Sequence, residues 1–261
     1  MPITTKITPA KWRKWHRWLA LLVGLQLVIW STSGVYMVLF ELGFIHGNHL
    51  VKPTSPPLNA ATMKSFDLPA LQELHPKINS IEFKSLWLNN RAQTVLEIQR
   101  SATKELLNAE TLEPIQLNKS DIAAIAQKTY ALGDTVTPIR VQLVTDNAPS
   151  ELNPALLPVW RVDFEDFGNT TLYFDATTGA LVTKRHSFWR GFDIMWMLHI
   201  MDYENRVDIE NRLIKIASVG NLLFLITGLV LIYFSLIKPK LRRRNNRNRR
   251  ATLHDTSGGP A

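Results

Sequence analysis

Apolar residues are spread unevenly along this chain. Two stretches carry no charge at all, residues 18–40 and residues 216–237. At ~1.5 Å of rise per residue each reaches roughly 33–35 Å as a helix, enough to cross a ~30 Å hydrocarbon core. A soluble fold would have to bury two helices of unusual length. Residues 42–66 read differently: from 48 onward they are rich in Pro, Ser, Thr and Asn, the composition of a linker. Alternation then takes over. A short helix near 68–74 precedes strand-like runs at 81–88 and 94–99 and the segment LLNAETLEPI (106–115). A second helix at 120–132 precedes strand-like runs at 139–145, 159–164 and 171–182.

The two halves end alike, LLNAETLEPI against LYFDATTGAL, each a strand, then Asn or Asp, Ala, a turn and a new strand. Asp175 is suited to bind the turn backbone and Gly179 to take positive φ. Trp160, Val162 and Phe164 alternate with Arg161, Asp163 and Glu165, the pattern of a sheet packed on one face. Helix plus antiparallel sheet, repeated, predicts an α+β domain. Residues 187–203, SFWRGFDIMWMLHIMDY, are aromatic and apolar but hold Arg190 and Asp193, which suits the membrane interface better than a span.

The expected fold class is therefore a membrane protein with two transmembrane α-helices flanking an exported α+β domain. Its order is a basic N-terminus (1–17), a first span (18–41), a linker (42–66) and the domain (67–186, in units 67–117 and 118–186). An interfacial segment (187–215), a second span (216–237) and a basic tail (238–261) follow. Charge gives the direction. Residues 1–17 hold five basic side chains, Lys6 among them, and no acid; residues 238–261 hold eight and one acid; residues 42–215 are net −3. Basic flanks stay cytoplasmic, so both termini are expected inside and the domain outside. The first apolar run is too long for a cleaved leader and lacks a small-residue cleavage site, which makes it an anchor. The net charge of +8 thus reports orientation and attraction to anionic lipid, not nucleic acid. With no cysteine, thiol nucleophiles, disulfides and thiolate metal sites are excluded.

The helix, strand pair and closing FDATTGALV (174–182) resemble the PepSY domain. HRWLALLVG…STSGVYMVLF (16–40) resembles the first helix of PepSY-associated transmembrane proteins, which often reads His-Arg-Trp-Leu-Gly and later Thr-Gly. MLHIMDY (197–203) with VGNLLFLITGLVLIYF (219–234) resembles their next segment, with a Leu-His pair and another Thr-Gly. The likeness covers most of residues 11–240 and has departures. Many members carry four or more spans, Ala20 stands where glycine is common, and the glycine expected four residues after His199 is replaced. The resemblance implies a bacterial inner-membrane protein, and some members bind haem b and reduce ferric siderophores.

No G-x-S-x-G, H-E-x-x-H, P-loop or dinucleotide glycine pattern is present, so a reaction would need a borrowed cofactor. His16 stands at the cytoplasmic mouth of the first span, with Ala20, Gly24, Leu27, Ser31 and Gly34 on one helical face. Such small residues admit either a flat macrocycle with His16 as axial ligand or close packing against another helix. His199 stands at the outer side, as a ligand or as an interfacial anchor beside Trp189 and Trp196. His46 and His49 lie on that side too, as partners of His199 or as ordinary loop residues. His75, His186 and His254 have no assigned role. Gln26 and Asn221 are expected to be hydrogen-bond partners between helices. His16 and His199 lie a bilayer apart and cannot share one iron, whereas a homodimer would pair each with its copy. The resemblance thus implies haem b on His16 and His199, and a haem-dependent membrane oxidoreductase acting on a ferric siderophore. The alternatives are a non-catalytic anchored module that binds or regulates an exported protein or envelope complex, and an accessory subunit of a larger membrane complex.

Overall fold

The computed structural model describes residues 9–53, 55–89 and 91–240, which form two compact units. Lys6 at one end, and His254 with most of the basic tail at the other, lie outside the described residues. A central unit is built on Phe40–Asp193 and a helical unit on residues 9–39 and 194–240.

In the central unit the 42–66 segment is not one plain linker. It contains α2 (Leu42–Ile45), a 3-10 turn at Asn48–Leu50 and α3 (Ala60–Lys64), and Val51 bridges Tyr130. Next come α4 (Leu68–Leu74), capped by Asp67, and three antiparallel strands, β1 (Ser80–Leu88), β2 (Arg91–Arg100) and β3 (Thr103–Asn108). α5 (Lys119–Thr129) opens on a capping box. The Asn118 side chain accepts from the N–H groups of Ser120 and Asp121, and the Asp121 carboxylate accepts from Asn118 N–H. Such caps contribute about 1 kcal/mol. A second antiparallel sheet follows in the order β4 (Pro138–Val144), β5 (Val159–Phe164), β6 (Thr171–Asp175) and β7 (Leu181–Arg185).

The turns that follow β3 and β6 are built alike. Asn108 Oδ1 accepts from the N–H of Glu110 and Thr111, and Asp175 Oδ1 from those of Thr177 and Thr178. The fourth residue on takes positive φ in both, Leu112 at 60° and Gly179 at 67°. The two repeats nevertheless share one core. Leu88, Val95 and Leu106 of the first sheet join Val162, Phe164 and Phe174 of the second around Ile122, Ile125 and Tyr130. The second sheet is packed on both faces, since Leu152 from the β4–β5 loop covers Val159 and Tyr173.

In the helical unit α1 (Pro9–Leu39) begins well before residue 18, because the basic segment is itself helical and Pro9 suits a first turn. Part of α6 (Ser187–Ile200) and α7 (Arg212–Ile232) complete the unit, and α7 continues through a π-turn at Tyr233–Ile237. α7 starts at Arg212 because Asn211 caps it, accepting from Ile214 N–H at 3.0 Å. Between α6 and α7, Asp202 accepts from four backbone N–H groups, of Asp208, Val207, Asn205 and Glu204, which hold its carboxyl below the usual range. Met201 and Arg206 take positive φ there, at about 1–2 kcal/mol each, in a reversal without glycine. Pro9–Leu39 and Arg212–Lys240 are both long and apolar enough to cross a membrane.

Candidate functional site

Within the helical unit, His16 meets α7. Its Nδ1 is 2.9 Å from Thr227 Oγ1, and its ring stacks on Phe224 with centroids 4.6 Å apart and planes at 8°. His199 meets α1. Its Nδ1 is 2.9 Å from the buried Ser33 Oγ, and its carbonyl accepts from Trp30 Nε1–H at 2.8 Å. The two sites follow one plan. Each histidine lies against a hydroxyl–glycine pair of the other segment, Thr227–Gly228 for His16 and Ser33–Gly34 for His199. A Cβ at Gly228 would stand 3.4 Å from His16 Cε1, and one at Gly34 would stand 3.8 Å from His199 Cε1.

The hydroxyls assign the tautomers. Thr227 O–H donates to Phe224 C=O at 2.8 Å, and Ser33 O–H donates to Ile29 C=O at 2.8 Å. Each hydroxyl proton is thus committed to backbone, so each oxygen accepts from Nδ1–H of its histidine. Nε2 then carries the lone pair, and in neither ring has it a hydrogen-bond partner among the described residues. A neutral imidazole with Nδ1–H tied and Nε2 bare is the form that ligates a metal or haem iron. Each ring therefore offers one free nitrogen donor of the kind that a metal or haem iron takes. His16 is level with Thr227 and His199 with Ser33, so about 17 residues of α1, ~25 Å, separate them. No single iron takes both.

The predicted small-residue face is only partly the packed one. Val23 and Ser33 are the buried positions of α1, whereas Ser31 is exposed and a Cβ at Gly24 would meet no atom within 4 Å. Gln26 and Asn221 do not pair. Gln26 Nε2 and both amide atoms of Asn221 are buried without a partner.

The remaining histidines belong elsewhere. In the central unit His186 is buried, and its Nε2–H lies 3.1 Å from the carbonyls of both Phe44 and Ile45. His49 stacks on Phe44 with its ring 5.6 Å from that of His186, His46 is exposed, and His75 ends α4. Among the described residues no three His, Asp or Glu side chains gather as a metal site. Sequence reasoning missed Thr227 and Ser33 as partners of the histidines. Their adjoining glycines were the available sign, since a hydroxyl–glycine step in each span marks where a ring can approach.

A family model described as the PepSY-associated TM region matches residues 13–259. No curated protein and no solved structure matches the chain.

Proposed function

We propose, from the premise that this chain belongs to the PepSY-associated TM family, that it carries electrons across the bacterial inner membrane. Both termini face the cytoplasm and the central unit faces outward, a direction that the basic flanks support. His16 and His199 would hold haem b at the two membrane levels, each together with its counterpart on a second copy of the chain. The observation that carries this reading is the twice-used arrangement in which a hydroxyl takes Nδ1–H and leaves Nε2 bare.

Bound haem supplies one-electron chemistry. The chain does the rest. Thr227 and Ser33 hold the tautomer, Phe224 fixes the plane of His16, and Trp30 ties down the backbone of His199. Gly24 leaves the same face of α1 open for a flat group. The electron acceptor is a ferric siderophore on the outer side, a choice that rests on the family alone.

A second reading has one observation in its favour. The central unit holds a cleft of about 480 Å³ lined by Lys52, Phe83, Trp87, Ile125, Phe174 and Leu181, beside the edge strand β1. A binding module for an exported protein or envelope component would use that cleft and leave the histidines idle.

Absorption spectra of the full chain in detergent, purified from haem-replete cells, oxidised and dithionite-reduced, separate the two. A b-type spectrum is expected, reduced in His16→Ala and in His199→Ala. Thr227→Val is expected to weaken haem retention about tenfold, the usual cost of losing a partner behind a ligand. A colourless protein, or a spectrum unchanged in both histidine variants, overturns the haem reading.

A further inference from the structure

We infer that Phe167 anchors the central unit to the bilayer, its ring entering the interfacial layer of the leaflet to which that unit is tethered. Phe167 is 93% exposed, more than any other large apolar side chain among the described residues, those on the two spanning helices included. A lone exposed apolar residue is ordinary on a soluble surface. Three observations set this one apart.

It is held out rigidly. Asp166 accepts from Thr170 N–H at 2.7 Å, from Thr170 O–H at 2.6 Å and from Tyr130 O–H, while Asn169 N–H closes the turn on Asp166 C=O. Phe167 is the tip of that turn and takes no part in its bonding.

It stands at the tethered end of the unit. Gly168 C=O accepts from Ser187 N–H at 2.7 Å and from Ser187 O–H at 2.9 Å, which fastens the turn to the start of α6. The adjoining His186 bonds the carbonyls of Phe44 and Ile45. Ile45 is six residues from Leu39, where the first spanning helix ends, and α2 makes part of that path helical, so it covers only about 15 Å.

The segment to which that turn is fastened has the chemistry of an interface. Arg185 places its guanidinium 3.9 Å from the centre of the Trp189 ring, an aromatic–cation pair of the kind found among headgroups. The occupant that fits is therefore lipid.

The absence of cysteine allows a clean test, since one introduced thiol is the only one. Phe167→Cys carrying an environment-sensitive dye is compared with Thr177→Cys, an exposed site at the other end of β6, roughly 14 Å along the strand. Both are full chains in phosphatidylethanolamine–phosphatidylglycerol vesicles with doxyl groups high on the acyl chains. The label at 167 is expected to emit to the blue, to be quenched by doxyl lipid and to be shielded from iodide. The label at 177 is expected to do the reverse. Equal iodide quenching at both sites overturns the inference. So does shielding at 167 without doxyl quenching, which would mean that protein rather than lipid covers it.

Discussion

Polar side chains are treated differently in the two units. In the central unit Glu151 accepts from Arg190 Nε–H at 2.6 Å, Arg190 Nη2–H at 3.2 Å and Tyr173 O–H at 2.7 Å, while its carbonyl accepts from Arg185. Glu97, buried in the first sheet, is flanked by Lys84 and Lys104. Burial pushes both carboxyls up, but the hydrogen bonds from these partners outweigh it and hold both below the usual range. In the helical unit each histidine bonds through one nitrogen, and the amides of Gln26 and Asn221 are left open. Closed networks fix a shape. Open valences at membrane depth do not, because an unmade bond there is costly.

The largest effect should come from opening a closed network. Glu151→Ala leaves Arg190 and Tyr173 without their acceptor and should destabilise the central unit by about 2–3 kcal/mol. That is below the figure for a fully buried pair, because Arg190 is partly exposed. Near-UV circular dichroism of the full chain through a denaturant titration reads it, and an unchanged midpoint would show that the network contributes nothing.

Glycines sharpen the same contrast. Gly179→Ala meets both a positive φ and a Cβ 3.0 Å from Leu117 Cδ1, so it should cost about 1–2 kcal/mol. Gly24→Ala meets open space and should leave stability unchanged. If haem occupies the face that Gly24 leaves open, this variant should still lower haem retention. A Gly24→Ala chain that is destabilised as much as Gly179→Ala would erase the distinction between a filled and an open face.

Much of this was legible in the sequence, and the parts that were not share a cause. The helix at 68–74, the strand at 159–164 and the roles of Asp175 and Gly179 depend on neighbours within a few residues, so local pattern suffices to read them. The family, likewise, was carried by short local motifs. His186 offered no local sign, because the carbonyls that receive its Nε2–H stand more than 140 residues earlier. The common core of the two repeats was hidden for the same reason, since α5 serves both sheets. Ser33 and Thr227 were hidden because only the pairing of helices brings each hydroxyl to its imidazole.

A fourth variant should reverse the sign of the first. Asn221→Leu removes two buried amide atoms that have no partner, and an apolar residue of similar size suits that position. Stability of the helical unit should rise by about 1 kcal/mol, the usual penalty of an unmade buried hydrogen bond. Resistance of the purified chain to unfolding in a denaturing detergent measures this. A loss instead of a gain would mean that Asn221 finds a partner in the membrane, and the contrast between the units would fail there.

The smallest effect concerns pH and lies in the central unit alone. Burial pushes the His186 imidazole below its ordinary value, against the pull of its bonds to Ile45 and Phe44. The facing side chains of His49, from the 3-10 turn, and Arg190, from α6, oppose protonation as well. With Nε2–H committed to two carbonyls, a second proton would have to enter at Nδ1. Below the ordinary histidine pKa of about 6.5 the unfolded chain therefore takes up a proton that the folded chain refuses. Stability is full above that pH and falls as pH drops from it towards the lowered folded value. His186→Asn keeps an N–H donor without a titrating ring, so its melting temperature should be flatter across this window. Below about pH 4.5 both chains should decline together, because Glu97 and Glu151 must then accept protons that their folded partners disfavour. Parallel curves for wild type and variant between about pH 7 and 5 would show that His186 does not set the acid edge, and would leave the carboxylates to explain it.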